Sequence, residues 1–487
     1  MGATVSEQDA LATPGAGRAV VRGTTLRIAS FAGGSLFSVG AAALLFRHLG
    51  VIDTGRYTTA TSLSALVAGL TDLGLTGICI RELSVLRGER RTSFARNVMG
   101  LRLVLAVAGI LLITLFAFLA YGSLLGLGVL IAGCGVLLQN TQVLLASSLS
   151  VRLRLGSLSA LELARQIITA AMISLLVLYG AHLLAFLAVA ALAASVMLVP
   201  TVALVRGDMP LRPAFDTRRW RELAAPMLTY SAAILTATVY LRVAVVLVSL
   251  LCPSRQLGYL SVSYRVVENL LIVPGLLVGS VFPIFAHAAH ADAGRFAHAI
   301  SRMFDIALIA GVWVSLALAV GSRLAVEVVG GSSFLPAVPV LAVQGIAVAA
   351  VFVGNVWAYA LLSLHLHRTI LILNLALLAL LSAAVAIMAP LYGAQGAAVA
   401  SAAVEIVAAV AGGVALVRAR AHLRPSLRIL PKVALAAAVG AGPMLLTGAP
   451  VIDRTALSSV LYAAVLLLLR AFPSDLPGLL FTARGAG

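Results

Sequence analysis

The residues able to do chemistry in this chain lie in apolar surroundings. In "TVYLRVAVVLVSLL", Thr238 to Leu251, a single arginine, Arg242, interrupts a run with no other charge. Its guanidinium is a permanent cation whose planar fork of donors suits phosphate or carboxylate. Arg242 precedes Cys252-Pro253 by about ten residues, roughly 15 Å at a rise of ~1.5 Å per residue, which is about half the hydrocarbon thickness of a bilayer. An arginine facing lipid at that depth costs at least ~2.5 kcal/mol. Ser231, Thr238, Arg242 and Ser249 are spaced by seven, four and seven residues and share one helical stripe. We read the stripe as the wall of a wet cavity; snorkelling and a structural ion pair are the alternatives.

Other polar groups occupy similar positions. "SYRVVENL" carries Tyr264, Arg265, Glu268 and Asn269. Arg265 and Glu268 stand at i,i+3, so they either pair with each other or serve the cavity. Glu405 lies on a stripe of small residues, Ala397, Ser401, Ala409 and Gly413. Small residues let helices approach closely, and a carboxylate among them is a polar tie or a proton or cation site. Asp72, in "TDLGL", is read first as structural and second as a coupling group. Ser30, Gly34, Ser38 and Ala42 form a stripe read as packing only.

Positioning these groups requires membrane helices. The 487 residues are 61% hydrophobic and 10% charged, with a mean hydropathy of +1.09. A soluble chain would carry roughly a quarter charged residues. Apolar windows of about 20 residues recur fourteen times, centred near Leu36, Val67, Ile110, Gly135, Ile173, Leu192, Leu235, Pro274, Val312, Val348, Leu377, Ala403, Val439 and Val460. The expected fold is therefore an all-α polytopic membrane protein with two parallel six-helix lobes and two extra C-terminal helices. Residues 1–21 read as a disordered cytoplasmic tail, 22–205 as the N-lobe, 206–420 as the C-lobe, and 421–487 as the additional spans with a short tail.

The formal charge of +17 follows the loops and does not imply nucleic acid. Arg18, Arg22, Arg81, Arg87, Arg90, Arg102, Arg152, Arg165, Arg218 and Arg418 belong to one set of loops; the opposite set holds only Arg47, Arg56, Arg255, Arg323 and Arg454. That asymmetry places both termini in the cytoplasm. The basic connectors around Arg81–Val98 and Arg206–Glu222 have the anionic cytoplasmic leaflet as their expected partner.

Enzyme readings lose ground. A phosphate-binding GxxxxGK[ST] loop needs a lysine, and Lys432, the one lysine, lies in "LPKVAL". There is no DxD-type acidic cluster on a loop and no legible Ser/His/Asp set. The outer loops are short for a membrane glycosyltransferase or polymerase. His287, His290 and His298 read as a solvated loop face before they read as a metal site. Cys79, Cys134 and Cys252 fall singly and suggest neither disulfides nor metal. No cofactor is expected.

A faint repeat links "LGVIDTGRYTTAT" with "LCPSRQLGYLSVSYR"; each carries a glycine and then a tyrosine, Gly55 with Tyr57 and Gly258 with Tyr259. "LFRHLGVIDTGRYTTATSLSALVAGLTDLGLTGICIREL" resembles the N-terminal signature of the Wzx-type oligosaccharide flippases, within the multidrug/oligosaccharidyl-lipid/polysaccharide exporter superfamily. "YLRVAVVLVSLLCPSRQLGYLSVSYRVVENLLIVPGLL" resembles the second-half signature of those proteins. "VVGGSSFLPAVPVLAVQG" and "PLYGAQGAAVASAAVE" resemble later spans, so the likeness runs from about Arg22 to about Arg418. Members commonly carry an aspartate just after the arginine position, where this chain has Val243 and Ala244.

The resemblance implies a plasma-membrane transporter that turns an isoprenoid pyrophosphate-linked oligosaccharide from the cytoplasmic to the outer leaflet by alternating access. It implies that Arg242, Arg265 and Arg27 replace water around the diphosphate, with Ser231, Thr238 and Tyr264 in the cavity wall. A polysaccharide polymerase or glycosyltransferases would be its protein partners. The competing reading, a cation- or proton-coupled drug exporter, puts the weight on Asp72, Glu268 and Glu405. A membrane glycosyltransferase or polymerase, or an assembly scaffold, comes after both.

Overall fold

The structure is a computed structural model that describes residues 16–72, 74–152, 154–271, 273–275, 293–420, 423–446 and 448–471; side chains are described within these ranges except at 16–32, 155, 222–234 and 293. The described residues are helical almost throughout and include no strand. In chain order the helices are α1 (Ala16–Asp72), α2 (Leu75–Val85), α3 (Gly88–Tyr121), α4 (Ser123–Val151), α5 (Leu155–Leu178), α6 (Leu183–Val205) and α7 (Thr217–Leu251). They continue with α8 (Ser254–Leu270), α9 (Ala293–Val329), α10 (Val338–Ser363), α11 (His367–Ala419), α12 (Leu430–Ala441) and α13 (Val451–Leu468). Helix α1 begins at Ala16; residues 1–15 and 472–487 lie outside the described residues.

Ten helical stretches among the described residues are long and apolar enough to cross a membrane. Two of the helices are double-length and break at glycine. Gly50 in α1 adopts φ 70°, ψ −178° and Gly393 in α11 adopts φ 59°, ψ −137°. Both lie where L side chains clash, so each break separates two successive spans. At Gly393 the interrupted helix frees a backbone donor, and the Ala394 amide donates to Gln256 Oε1 on α8 at 3.0 Å. Membrane helices tolerate a break when a neighbour satisfies the freed group in this way.

The chain packs as two compact units, one within Met1–His48 plus Ala60–Leu235 and the other within Leu49–Thr59 plus Thr236–Gly487. These are divisions of packing, whereas 22–205 and 206–420 count spans. In the first unit, Leu75, Cys79 and Leu83 of α2 pack with Ala95 and Val98 of α3 and with Leu144, Leu145 and Leu149 of α4. The basic connector after α6 is strapped to α3. The Ala214 amide donates to Arg96 O at 2.9 Å, Trp220 Nε1 donates to Asn97 O at 3.1 Å, and a Cβ on Gly100 would come within 2.0 Å of Ala214 O.

In the second unit, the repeated segments meet reciprocally. A Cβ on Gly55 would lie 2.0 Å from Ser254 O, and a Cβ on Gly258 would lie 2.0 Å from Val51 O. Each glycine therefore admits the backbone of the other segment, the close approach that small residues permit between membrane helices. The C-terminal pair docks here as well. Tyr462 of α13 donates to Ile309 O of α9 at 2.9 Å, and Ser458 donates to Gly440 O of α12 at 2.7 Å.

Candidate functional site

Three helices of the second unit bring the candidate residues together. On α8, Tyr264 and Glu268 stand at i,i+4 and face the same way, as Ser401 and Glu405 do on α11. On α7, Tyr240 and Arg242 are two residues apart and point to different neighbours. Arg242 Nη1 donates to Glu268 Oε1 of α8 at 3.0 Å, while Tyr240 Oη donates to Glu405 Oε1 of α11 at 2.8 Å. The Tyr264 and Ser401 hydroxyls meet at 3.4 Å. Tyr264 lies within electrostatic range of Arg242, Glu268 and Glu405. An ion pair and two hydroxyl-bearing contacts thus tie α7, α8 and α11 in one polar patch.

Glu268 pairs with Arg242 on the neighbouring helix. Arg242 is accordingly not a lone cation, and the structural pairing held as an alternative is present. The pair is still accessible: the Arg242 side chain is 33% exposed and that of Glu268 39%. Arg265 lies on the same helix within electrostatic range of Tyr57. Thr238 is half-buried on α7. Ser231 and Arg27 lie on α7 and α1, with side chains outside the described ones.

Asp72 belongs elsewhere, in the first unit. Its Oδ1 accepts from Arg102 Nη2 at 2.7 Å and from Thr76 Oγ1 at 2.6 Å, and Arg102 Nη1 donates to Thr76 Oγ1 at 3.0 Å. The Arg102 side chain is 5% exposed and that of Asp72 25%, so this triad is more buried than the Arg242 pair. Arg102 reads as a loop charge in the sequence, but it stands about fourteen residues inside α3, roughly 21 Å along it. Sequence reasoning also passed over Tyr240. Its signal was present, since a tyrosine two residues from an intramembrane arginine needs its own partner.

No group of three or more His, Cys, Asp or Glu able to hold a metal occurs among the described residues. His287 and His290 lie outside them, and His298 is on α9. All three cysteines are free.

With this geometry in place, the chain can be compared with known proteins. The sequence model described as "Polysaccharide biosynthesis protein" matches residues 20–289, more than half the chain. The chain belongs to that family. Its fold is that of solved flippases and exporters. A structure of the lipid II flippase MurJ in an inward closed conformation has TM-score 0.77 at 14% identity, covering 92% of this chain and 99% of that one. An inward-facing multidrug resistance MATE family transporter of the MOP superfamily has TM-score 0.62 at 13% identity, covering 82% and 98%. A MOP superfamily transporter from Pyrococcus furiosus, whose structure is titled for the reverse polarity of its binding pocket, has TM-score 0.56 at 14% identity, covering 87% and 100%. A search of curated protein sequences finds no match. This family member is thus an all-helical, multi-pass membrane protein.

Proposed function

We propose that the chain is a flippase that moves an isoprenoid pyrophosphate-linked oligosaccharide from the cytoplasmic to the outer leaflet for cell-surface polysaccharide synthesis. The observation that carries the reading is the half-open Arg242–Glu268 pair within a polar patch on three membrane helices. A sealed pair would be a structural tie. An accessible one can exchange its carboxylate for a diphosphate, because guanidinium binds either through the same donor fork. The family description supports a role in polysaccharide synthesis.

In this mechanism the diphosphate displaces Glu268 from Arg242, with Arg265 as a further cation and Thr238 and Tyr264 as hydroxyl groups; the family resemblance adds Arg27 and Ser231 to the candidates. The polyprenyl tail stays in lipid while the cavity changes its access from the inner to the outer leaflet. Released Glu268 reclaims Arg242 on product exit, so the protein never leaves that charge unpaired in the membrane. The arginine-rich set of loops supports cytoplasmic termini in a plasma-membrane protein. A polymerase or glycosyltransferases acting on the same glycan are the natural partners.

One observation favours the drug-exporter reading. Glu405 is held by a phenol and not by a cation in its described hydrogen bond, which is how a carboxylate that takes up a proton or a cation would be kept. The two readings part on Arg242. In liposomes holding a fluorescent lipid-diphosphate-sugar, Arg242→Ala should abolish flipping while leaving expression and folding near wild type. Full flipping by this variant would remove Arg242 from the mechanism, and a folded wild type that moves no lipid would turn attention to Glu405 and drug export.

A further inference from the structure

The first unit contains a recess, largely apolar but with several polar side chains in its wall, that the handling of the diphosphate does not use. Residues of α2, α4 and α5 line it, and its volume is about 430 Å³, within the range of about 300–1,000 Å³ for small-molecule sites. Its polar lining includes Gln139, Gln142 and Ser147 from α4 and Glu162, Arg165 and Gln166 from α5, with the hydroxyls of Thr76, Ser150 and Ser159 beside them. Gln142 and Glu162 are not end-of-helix residues. At ~1.5 Å per residue, Gln142 lies about 13 Å inside the end of α4 and Glu162 about 10 Å inside the start of α5. Polar side chains at such depth are costly and face protein or a wet cavity.

Gln142 decides which chemistry the recess accepts. It is only 6% exposed. The Thr201 hydroxyl donates its hydrogen to Met197 O at 2.7 Å, so toward Gln142 it can only accept. The nitrogen of the Gln142 amide must therefore face Thr201, and Nε2 donates to Thr201 Oγ1 at 3.2 Å. That leaves Oε1 on the other side, buried and with no hydrogen-bond partner among the described residues. A buried acceptor without a donor costs about 1–3 kcal/mol, which a donating ligand would recover.

On the other wall, Glu162 accepts from Arg165 and, at 3.1 Å, from Gln166 Nε2. Gln166 is fixed from behind by α1: a Cβ on Gly34 would come within 2.6 Å of its Oε1. The α1 stripe read as packing thus also makes room for a lining side chain.

An ionised phosphate, which only accepts, would meet the Gln142 oxygen and the Glu162 carboxylate unfavourably. A sugar hydroxyl both donates and accepts, and it suits amides and a carboxylate–guanidinium pair alike. We infer that this recess binds a neutral polyhydroxylated group, a sugar unit. That the sugar is the glycan of the transported lipid rests on the function proposed above; the binding itself does not.

The test uses the full chain carrying Cys134→Ala, Cys252→Ala and Ser159→Cys, since Ser159 lines the recess and Cys79 is buried. Maleimide labelling of position 159 is timed with neutral di- and trisaccharides of hexose, N-acetylhexosamine and deoxyhexose type, and separately with inorganic pyrophosphate. At least one saccharide should slow labelling fivefold or more while pyrophosphate leaves it unchanged. Gln142→Leu should remove the protection, and Gln142→Met, checked for an unaltered melting temperature, should do the same. Protection by pyrophosphate, no protection by any saccharide, or protection that survives both Gln142 variants would each overturn the assignment. Saccharide protection together with absent lipid flipping would sink the proposed function and leave the recess standing; intact flipping without protection would do the reverse.

Discussion

At the scale of single residues, Arg102 and Arg242, each in a described ion pair, play opposite parts because their exposure differs. Arg102 is buried and held by Asp72 and Thr76, so its worth is structural. Removing one partner of a buried pair strands the other, at a cost of about 3–5 kcal/mol. Arg102→Ala should therefore lower the melting temperature clearly, and the double change Asp72→Leu with Arg102→Met should recover most of the loss. A variant Arg102→Ala that melts like wild type would show that the triad carries little. Arg242 and Glu268 are partly exposed on the protein, and a glutamine at position 268 can still accept a hydrogen bond from the guanidinium. Glu268→Gln should then leave stability nearly unchanged and free the guanidinium of its carboxylate partner. Affinity for a polyprenyl diphosphate should rise about fivefold, the equivalent of about 1 kcal/mol, with slower turnover because nothing displaces the product. Unchanged binding in Glu268→Gln would mean that the two ligands do not compete.

At the scale of elements, the sequence shows where the helices run but not which faces meet. Hydropathy is a property of the chain alone, and a window of about 20 residues senses it directly. The same window cannot tell a charge in a loop from one a few turns inside a helix. Arg102 and Arg165 were both read as loop charges, yet one closes a buried triad and the other lines a recess. Nor does spacing along one helix reveal a partner on the next, so the contact of Glu268 with Arg242 was not legible. The stripe of Ser401 and Glu405 was legible as a face and Tyr264 as a cavity residue; their contact, and Tyr240 opposite Glu405, were not. The break at Gly393 offers a test of how elements are held. Gln256→Leu removes the acceptor for the Ala394 amide, and an unpaired backbone donor costs about 1–3 kcal/mol. The melting temperature should fall for Gln256→Leu and much less for Gln256→Glu, which keeps an acceptor. Equal melting of both variants would show that another group covers the break.

At the scale of the whole molecule, the proposed direction of transport follows from charge. A lipid diphosphate carries roughly two negative charges, and an inside-negative potential of about 100 mV favours their outward movement by about 4–5 kcal/mol in total. The arginines belong to the protein and return with it, so this energy acts on the substrate alone. A carrier that uses the potential should therefore flip faster, and to a more outward distribution, when vesicles are made inside-negative with a potassium gradient and ionophore. Reversing the potential should reverse the bias. Glu405 allows a separate contribution: if its carboxylate carries a proton through the cycle, Glu405→Gln should abolish any response to a pH gradient yet keep the response to potential. Flipping that answers to the pH gradient alone and loses everything in Glu405→Gln would place the coupling on the α7–α11 contact, with the diphosphate's own charge contributing no drive.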